Sequence, residues 1–527
     1  MVEAKLHLLD LTIIACYFCF IVAVGIYTSR KHTGAEDYFL AGRKMIWPVI
    51  GLSLIASNIS STTFVGLAGE AYNTGISVFN YEWMASVVLA FYAIFLLPFV
   101  LRAQVFTMPE YLQKRFDNRA RLYFSGLTLF LNIIVDTAGS LYAGALIVRM
   151  IYPEVPIWMI IAGIAAIASV YTIAGGLVAV MITDSVQAIL LFTGATVIAV
   201  SAFSQVGSWE AVTAQVDAGM LSLVRPLDHP GVPWLGLVTG VPLLGFYFWC
   251  TNQFMAQRVL AAKSVDHGRW GSLFAGLLKL PILFIMVLPG TMALLLYPDL
   301  ERPDLVFPTL MFDLLPTGLL GLVLAGFLAA LMGQLTSTVN SASTLATMDF
   351  VRRVKPDLSS QQLMLVGRIT TGLFMLLAVA WAPQIEKFPS LFQYLQAILS
   401  YTVPPVVAMF IVGIFWKRAT AQGAFITLVI GIGMGMMLFL LNEVFNVIYL
   451  HFLYVAPILF ALCSVVLIVA SLFTEPADEV EVAPFTWTRV HFRAETEALR
   501  LLPWYQNYRV LSLLLLAITG LLVVKFW

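Results

Sequence analysis

Four ionisable residues fall where a lipid-embedded chain should not carry them. Glu82, Asp136, Asp184 and Lys279 lie within or at the edge of long apolar runs, in a sequence that is only 11 % charged. A charge at the centre of a bilayer costs at least ~2.5–3.5 kcal/mol on insertion scales, so such residues face a partner or a wet cavity. A carboxylate accepts hydrogen bonds and an ammonium donates them. Glu82 and Lys279 can therefore balance each other around a guest rich in hydroxyls, such as a sugar or polyol; the plainer alternative is a structural ion pair. Gln396 both donates and accepts, which suits the same guest or a helix–helix contact. Phe246-Tyr247-Phe248-Trp249 offers aromatic faces for the C–H faces of a sugar ring, for a gate, or for packing. Asp184, after Gly175-Gly176, fits a structural, ion-exit or proton-carrying role, and Asp136 has no evident one. No nucleophile–base pair, metal-ligand spacing or phosphate loop is visible, so neither an enzyme nor ATP use is predicted.

The elements that must position these residues are membrane helices. The 527 residues are 60 % apolar, with 29 Lys and Arg against 29 Asp and Glu. Soluble chains hold about 45–50 % apolar and ~25 % charged residues. Zero net charge leaves no basic footprint for nucleic acid. The four cysteines sit in apolar stretches, which argues against a disulfide framework. Spanning helices need about 20 mainly apolar residues. The runs 8–28, 46–69, 76–101, 123–150, 157–174, 183–203, 236–257, 271–297, 311–347, 364–384, 390–415, 421–442, 450–473 and 506–526 qualify, predicting an all-α polytopic protein with about 14 transmembrane helices. The first run lacks a basic leader and a cleavage site and reads as a retained helix. The 311–347 run is too long for one straight span, so it tilts or begins with a separate surface helix at Met311–Leu315.

Cationic residues orient the chain. With both termini outside, 22 of the 29 Lys and Arg fall in inside loops and 6 outside, Lys279 being the remaining one. The plasma (cell inner) membrane is the expected location. The hydrophilic segments 204–235 (outside) and 474–505 (inside) are too short for typical domains, and the second reads as a linker.

Two runs contain helix-weakening residues near their middle: Ser57-Asn58-Ile59-Ser60-Ser61-Thr62-Thr63 in the second, and Gly240-Val241-Pro242-Leu243-Leu244-Gly245 in the seventh. They are five spans apart, and an odd repeat length inverts the second copy. Paired discontinuous helices expose carbonyls and half-helix ends to ions and solute in secondary transporters. Small-residue packing or a proline kink is the ordinary alternative.

These residues, with others along the chain, resemble the sodium/solute symporter family, in particular its sodium/glucose cotransporter branch. The matches include Tyr38-Phe39-Leu40-Ala41-Gly42-Arg43, Ala56-Ser57-Asn58-Ile59-Ser60, Tyr81-Glu82-Trp83, Thr107-Met108-Pro109-Glu110-Tyr111, Gly175-Gly176-Leu177 with Thr183-Asp184, and Phe248-Trp249-Cys250-Thr251-Asn252-Gln253 with Gln257-Arg258. Lys279, Asn340-Ser341-Ala342-Ser343-Thr344 with Thr347-Met348-Asp349, and Phe415-Trp416-Lys417-Arg418 complete the set. The resemblance implies a leucine-transporter-type core of two five-helix inverted repeats, with one extra helix before it and three after. Segments 1–45, 46–203 (first repeat), 204–235, 236–415 (second repeat) and 416–527 follow.

The resemblance also implies a site. The family's sugar-binding glutamate, lysine and glutamine fall on Glu82, Lys279 and Gln396. Two further sugar positions fall on Thr63 and Gly245, and the gate tyrosine falls on Phe248, followed by the expected Trp249. Sodium-binding carbonyls fall on Ala56, Ile59 and Ala330, but the two sodium-binding serines are replaced by Gly333 and Gln334. The implied activity is Na⁺-coupled symport of a sugar-like polar solute by alternating access. Its partners are that solute and the lipid bilayer; no nucleic acid, organic cofactor or obligatory protein partner is expected. A proton-coupled or uncoupled carrier, motivated by Gly333-Gln334, and a non-transporting solute sensor stay open.

Overall fold

The computed structural model describes residues 6–29, 40–171 and 177–527. Tyr38-Phe39 and Gly175-Gly176 lie outside them, as do Lys5, Arg30 and Lys31 of the charge tally. Each of the other apolar runs becomes helix along most of its length, and the described residues contain no β-strand. The main helices are α1 (Leu8–Ser29), α2 (Trp47–Asn58), α3 (Ser61–Thr74), α4 (Asn80–Phe91), α5 (Asn118–Leu131), α6 (Ala138–Ile151) and α7 (Ile157–Tyr171). They continue as α8 (Leu177–Val206), α9 (Trp234–Phe246), α10 (Gln253–Leu260), α11 (Val265–Leu278), α12 (Leu288–Leu296), α13 (Val306–Leu314) and α14 (Leu319–Leu345). The last are α15 (Ser360–Trp381), α16 (Leu391–Thr402), α17 (Pro404–Phe415), α18 (Ala421–Phe439), α19 (Phe452–Leu472), α20 (Arg489–Arg500) and α21 (Tyr508–Lys525). Among the described residues ten helical stretches are long and apolar enough to cross a membrane, or eleven if α16 and α17, bent by 55°, form one span.

The first interruption lies where the Ser/Thr/Asn cluster places it. Helix α2 stops at Asn58, Ile59 leaves the helical region (ψ 67°), and Ser60 is extended before α3 begins. The Thr63 hydroxyl donates to the Asn58 carbonyl across the gap, satisfying a group that the broken helix would orphan.

The second interruption is not at Gly240–Gly245. Helix α9 runs unbroken through that segment with Pro242 inside it. A Cβ on Gly240 would lie 2.5 Å from the Leu453 carbonyl oxygen, so this glycine permits close packing against α19. The chain breaks instead at Asn252, after a π-turn over Tyr247–Thr251; Asn252 is extended and its side chain caps α10 by accepting from the Phe254 N–H at 3.3 Å. The two interrupted regions are joined. Met45, just before α2, exchanges main-chain hydrogen bonds with Ala261 and Lys263, just after α10, at 3.0 and 2.9 Å.

The 311–347 run splits as anticipated, but α13 is almost wholly buried rather than a surface helix, and Gly318 (φ 89°) makes the turn into α14. Asp10, fully buried on α1, accepts from the N–H groups of Gly318 and Gly321 at 2.7 and 2.9 Å. It thereby caps α14 from another helix, where the dipole favours a carboxylate.

Residues 474–505 are not a free linker. Helix α20 docks through Glu495, which accepts from Arg269 and Tyr508 at 2.7 Å each, and the Trp487 N–H donates to the Ile414 carbonyl at 2.8 Å. Arg115 donates to the carbonyls of Gly413, Trp416 and Ala419 at 2.8–3.1 Å, and Gln253 accepts from the Met108 N–H at 2.9 Å. Several of the quoted motifs are thus clamps between helices.

Candidate functional site

A cavity of about 130 Å³ lies between the two broken helices. Its polar centre is built from three elements. Glu82 sits in the first turn of α4, where the helix dipole favours a carboxylate. Lys279 follows α11, where the main chain tightens to i→i−3 hydrogen bonds, Lys279 N–H to the Gly276 carbonyl and Leu280 N–H to the Leu277 carbonyl at 3.2 Å each, just ahead of Pro281, which has no N–H to donate. Helices α4 and α11 approach closely at Gly276, where a Cβ would lie 3.3 Å from Ser86 Cα and where Ser86 Oγ donates to the Gly276 carbonyl at 2.8 Å. Lys279 Nζ consequently reaches both Glu82 Oε2 and Asn58 Oδ1, at the end of α2. The side chains of this pair are 1 % and 8 % exposed. Lys279 Nζ also lies 5.5 Å from the Trp249 ring centroid, a cation–π distance.

Thr63, Gly245, Phe248, Trp249 and Gln396 line the same cavity, so the structure brings all seven solute and gate candidates together. Phe248 and Trp249 meet edge to face at 5.4 Å. At Gly245 a Cβ would reach only ordinary contact distance from Val88, so the missing side chain leaves room. Thr63 differs from the others in that its hydroxyl already donates to the Asn58 carbonyl.

A smaller cavity of about 20 Å³ adjoins it, lined by Ala56, Asp184, Ala330, Gly333 and Gln334 among others. Four of the five sodium-site candidates therefore converge. Ile59 does not line this cavity; it lies at the helix break, 2 % exposed. Gln334 lines both cavities, and its Oε1 is buried without a hydrogen-bond partner among the described residues. A Cβ on Gly333 would meet nothing within 4 Å. Asp184 accepts from Arg258 at 2.8 Å and from Ser53 at 3.0 Å, while Arg258 Nε donates to Ser53 Oγ at 3.0 Å. Helices α2, α8 and α10 are thereby tied at one point, and Asp184 is held in a closed ion pair.

Sequence reasoning gave no role to several residues in and around the cavity. Asn58 lay inside a quoted motif, but only tertiary contact puts its amide on Lys279. Val135 and Asp136 occupy a π-turn over Asn132–Thr137, and the widened turn brings both to the cavity wall beside Leu131. Glu70, buried on α3, accepts from Ser390 and Gln393 at 2.9 and 3.2 Å. Its position one residue beyond an apolar run was the available signal.

Apolar spanning helices, two of them broken around a polar cavity, are the architecture of a membrane transporter. The chain belongs to the sodium:solute symporter family, whose model matches residues 38–431. It is 36 % identical to sodium/glucose cotransporter 4 of Danio rerio over 92 % of this chain and 82 % of the relative. It is also 36 % identical to sodium/myo-inositol cotransporter 2 of Oryctolagus cuniculus, over 91 % and 78 %. The solved structure of a Na⁺-coupled sialic acid symporter, in a substrate-bound outward-open state, shares the fold with a TM-score of 0.76, at 22 % identity over 90 % of this chain and all of that one.

Proposed function

We propose that the chain is a Na⁺-coupled symporter of a sugar or polyol, working by alternating access between inverted repeats at 46–203 and 236–415, in the plasma membrane with both termini outside. The observation that carries this reading is the buried Lys279–Glu82–Asn58 cluster opening onto a cavity that Gln396 also lines. Hydroxyls of the solute exchange hydrogen bonds with these groups, and Phe248 and Trp249 form the barrier on one side. Two named relatives, for sodium/glucose and sodium/myo-inositol cotransport, support the solute class.

Sodium braces the broken α2–α3 region against α14, through carbonyls of Ala56, Ile59 and Ala330. Ion and solute then favour the same conformation, and that shared preference is the coupling. One Na⁺ moving down ~100 mV supplies about 2.3 kcal/mol, and a tenfold gradient adds ~1.4 kcal/mol. Together these concentrate a neutral solute several hundredfold.

Uptake of radiolabelled glucose and myo-inositol into proteoliposomes, with Na⁺ and pH gradients imposed separately, tests the reading. Accumulation that requires Na⁺ supports it. Equilibration alone, or accumulation driven by pH, assigns an uncoupled or proton-coupled carrier instead, the reading that Gly333 and Gln334 favour. Gly333→Ser with Gln334→Ser is expected to lower the Na⁺ concentration for half-maximal uptake several-fold, since the open space at Gly333 admits a hydroxyl. An unchanged Na⁺ requirement contradicts this account of the ion site.

A further inference from the structure

Glu82 and Lys279 cancel, but the solute cavity holds a third ionisable acid or base besides its tyrosines. Asp136 lines it from the π-turn between α5 and α6, near the middle of the spanning stretch Asn118–Ile151. No side chain among the described residues donates to its carboxylate or pairs with it; the Ser140 hydroxyl donates instead to its main-chain carbonyl, at 2.7 Å. The lining otherwise offers one cation, Lys279, which is engaged by Glu82 and Asn58. The cavity as built therefore holds one carboxyl group without a cationic partner. Gln334 adds a second acceptor without a donor, its buried Oε1. Gln334 and Asp136 lie on elements packed directly against each other: Thr137, next to Asp136, and Thr338, one turn beyond Gln334, have hydroxyls 3.1 Å apart.

A carboxylate and an amide oxygen without donors, in a cavity whose other end binds hydroxyls, suit a cationic donor on the guest. We propose that the solute is a polyhydroxylated molecule bearing one protonated amine, an amino sugar or aminocyclitol, whose ammonium sits against Asp136 with Gln334 Oε1 as its second acceptor. This rests on the cavity's being the solute site of a sugar or polyol carrier. The ammonium gives the Asp136 carboxyl an ionic partner, and a neutral sugar leaves it without one.

The test uses the full chain in proteoliposomes, with tritiated glucosamine and glucose as probes under one Na⁺ gradient. The wild type is expected to take up glucosamine with half-saturation on the order of tenfold below that for glucose, the ratio that ~1.4 kcal/mol represents. Asp136→Asn, close in shape, is expected to bring the ratio near unity while glucose uptake persists. Glucose uptake with no preference for the amine in the wild type overturns the proposal and leaves the carrier reading standing. A preference that survives Asp136→Asn also overturns it, as does loss of Na⁺ or pH dependence in that variant with the ratio unchanged, which assigns the carboxylate to an inorganic cation. The wild-type ratio decides the matter if the variant does not accumulate. Absence of uptake of either sugar in the wild type counts against the carrier reading itself, and with it the proposal.

Discussion

Replacing Lys279 with Met is expected to abolish Na⁺-driven solute uptake and to destabilise the protein by about 3–5 kcal/mol, the usual cost of leaving one partner of a buried pair uncompensated. Both side chains of the pair are nearly inaccessible, so Glu82 would be left in a poorly hydrated cavity with no cation to pair with and must either hold an uncompensated charge or take up a proton. The double variant Lys279→Met, Glu82→Gln removes that penalty, because replacing both members of a buried ion pair by uncharged groups is often neutral or stabilising. Thermal unfolding of the double variant in detergent should return toward the wild-type midpoint. Uptake should not return, because the Lys279 ammonium donor and the charged Glu82 acceptor are both gone and the remaining amide cannot replace the ammonium. Recovery of both would make the pair a structural strut and remove the basis for placing the solute there.

The second large effect concerns Arg258. Arg258→Met is expected to accelerate Na⁺-independent efflux of preloaded solute from proteoliposomes by an order of magnitude or so. Arg258 and Asp184 tie α10 to α8, and Ser53 brings in α2, so the first broken helix and the segment after the second break are held at one point. Alternating access requires such a tie to open and close. Weakening it by ~1.4 kcal/mol or more populates the open side at least tenfold more. Asp184→Asn, which keeps a neutral hydrogen bond to Ser53, should give a smaller increase. Lower thermal stability with no change in efflux would show that the network only holds helices together.

Much of the fold was legible because hydrophobic run length is a strong and local signal. The first helix break was legible too, since Ser, Thr and Asn compete with helix hydrogen bonding along the chain itself. The second was misplaced for a physical reason. Gly240 and Pro242 resemble helix breakers, but glycine serves there to admit the Leu453 backbone, and the real break uses Asn252 as a cap. Glu82, Lys279 and Gln396 stood out because charge and amide are costly among apolar neighbours. Asp10 met the same criterion and was passed over; only the folded chain reveals that it caps α14. The side on which Asp136 emerges depends on one extra residue in a π-turn, for which the local sequence carries no marker.

The central claim is that sodium and solute stabilise one conformation around the Lys279–Glu82 cavity. Equilibrium binding of tritiated myo-inositol or glucose to the purified protein, in Na⁺ and then in choline at equal ionic strength, tests it most directly. The account predicts several-fold tighter binding in Na⁺, lost in Lys279→Met, with an equal reciprocal gain in Na⁺ affinity when solute is present. Identical affinity in the two salts, or sugar binding that Lys279→Met leaves intact, would contradict it.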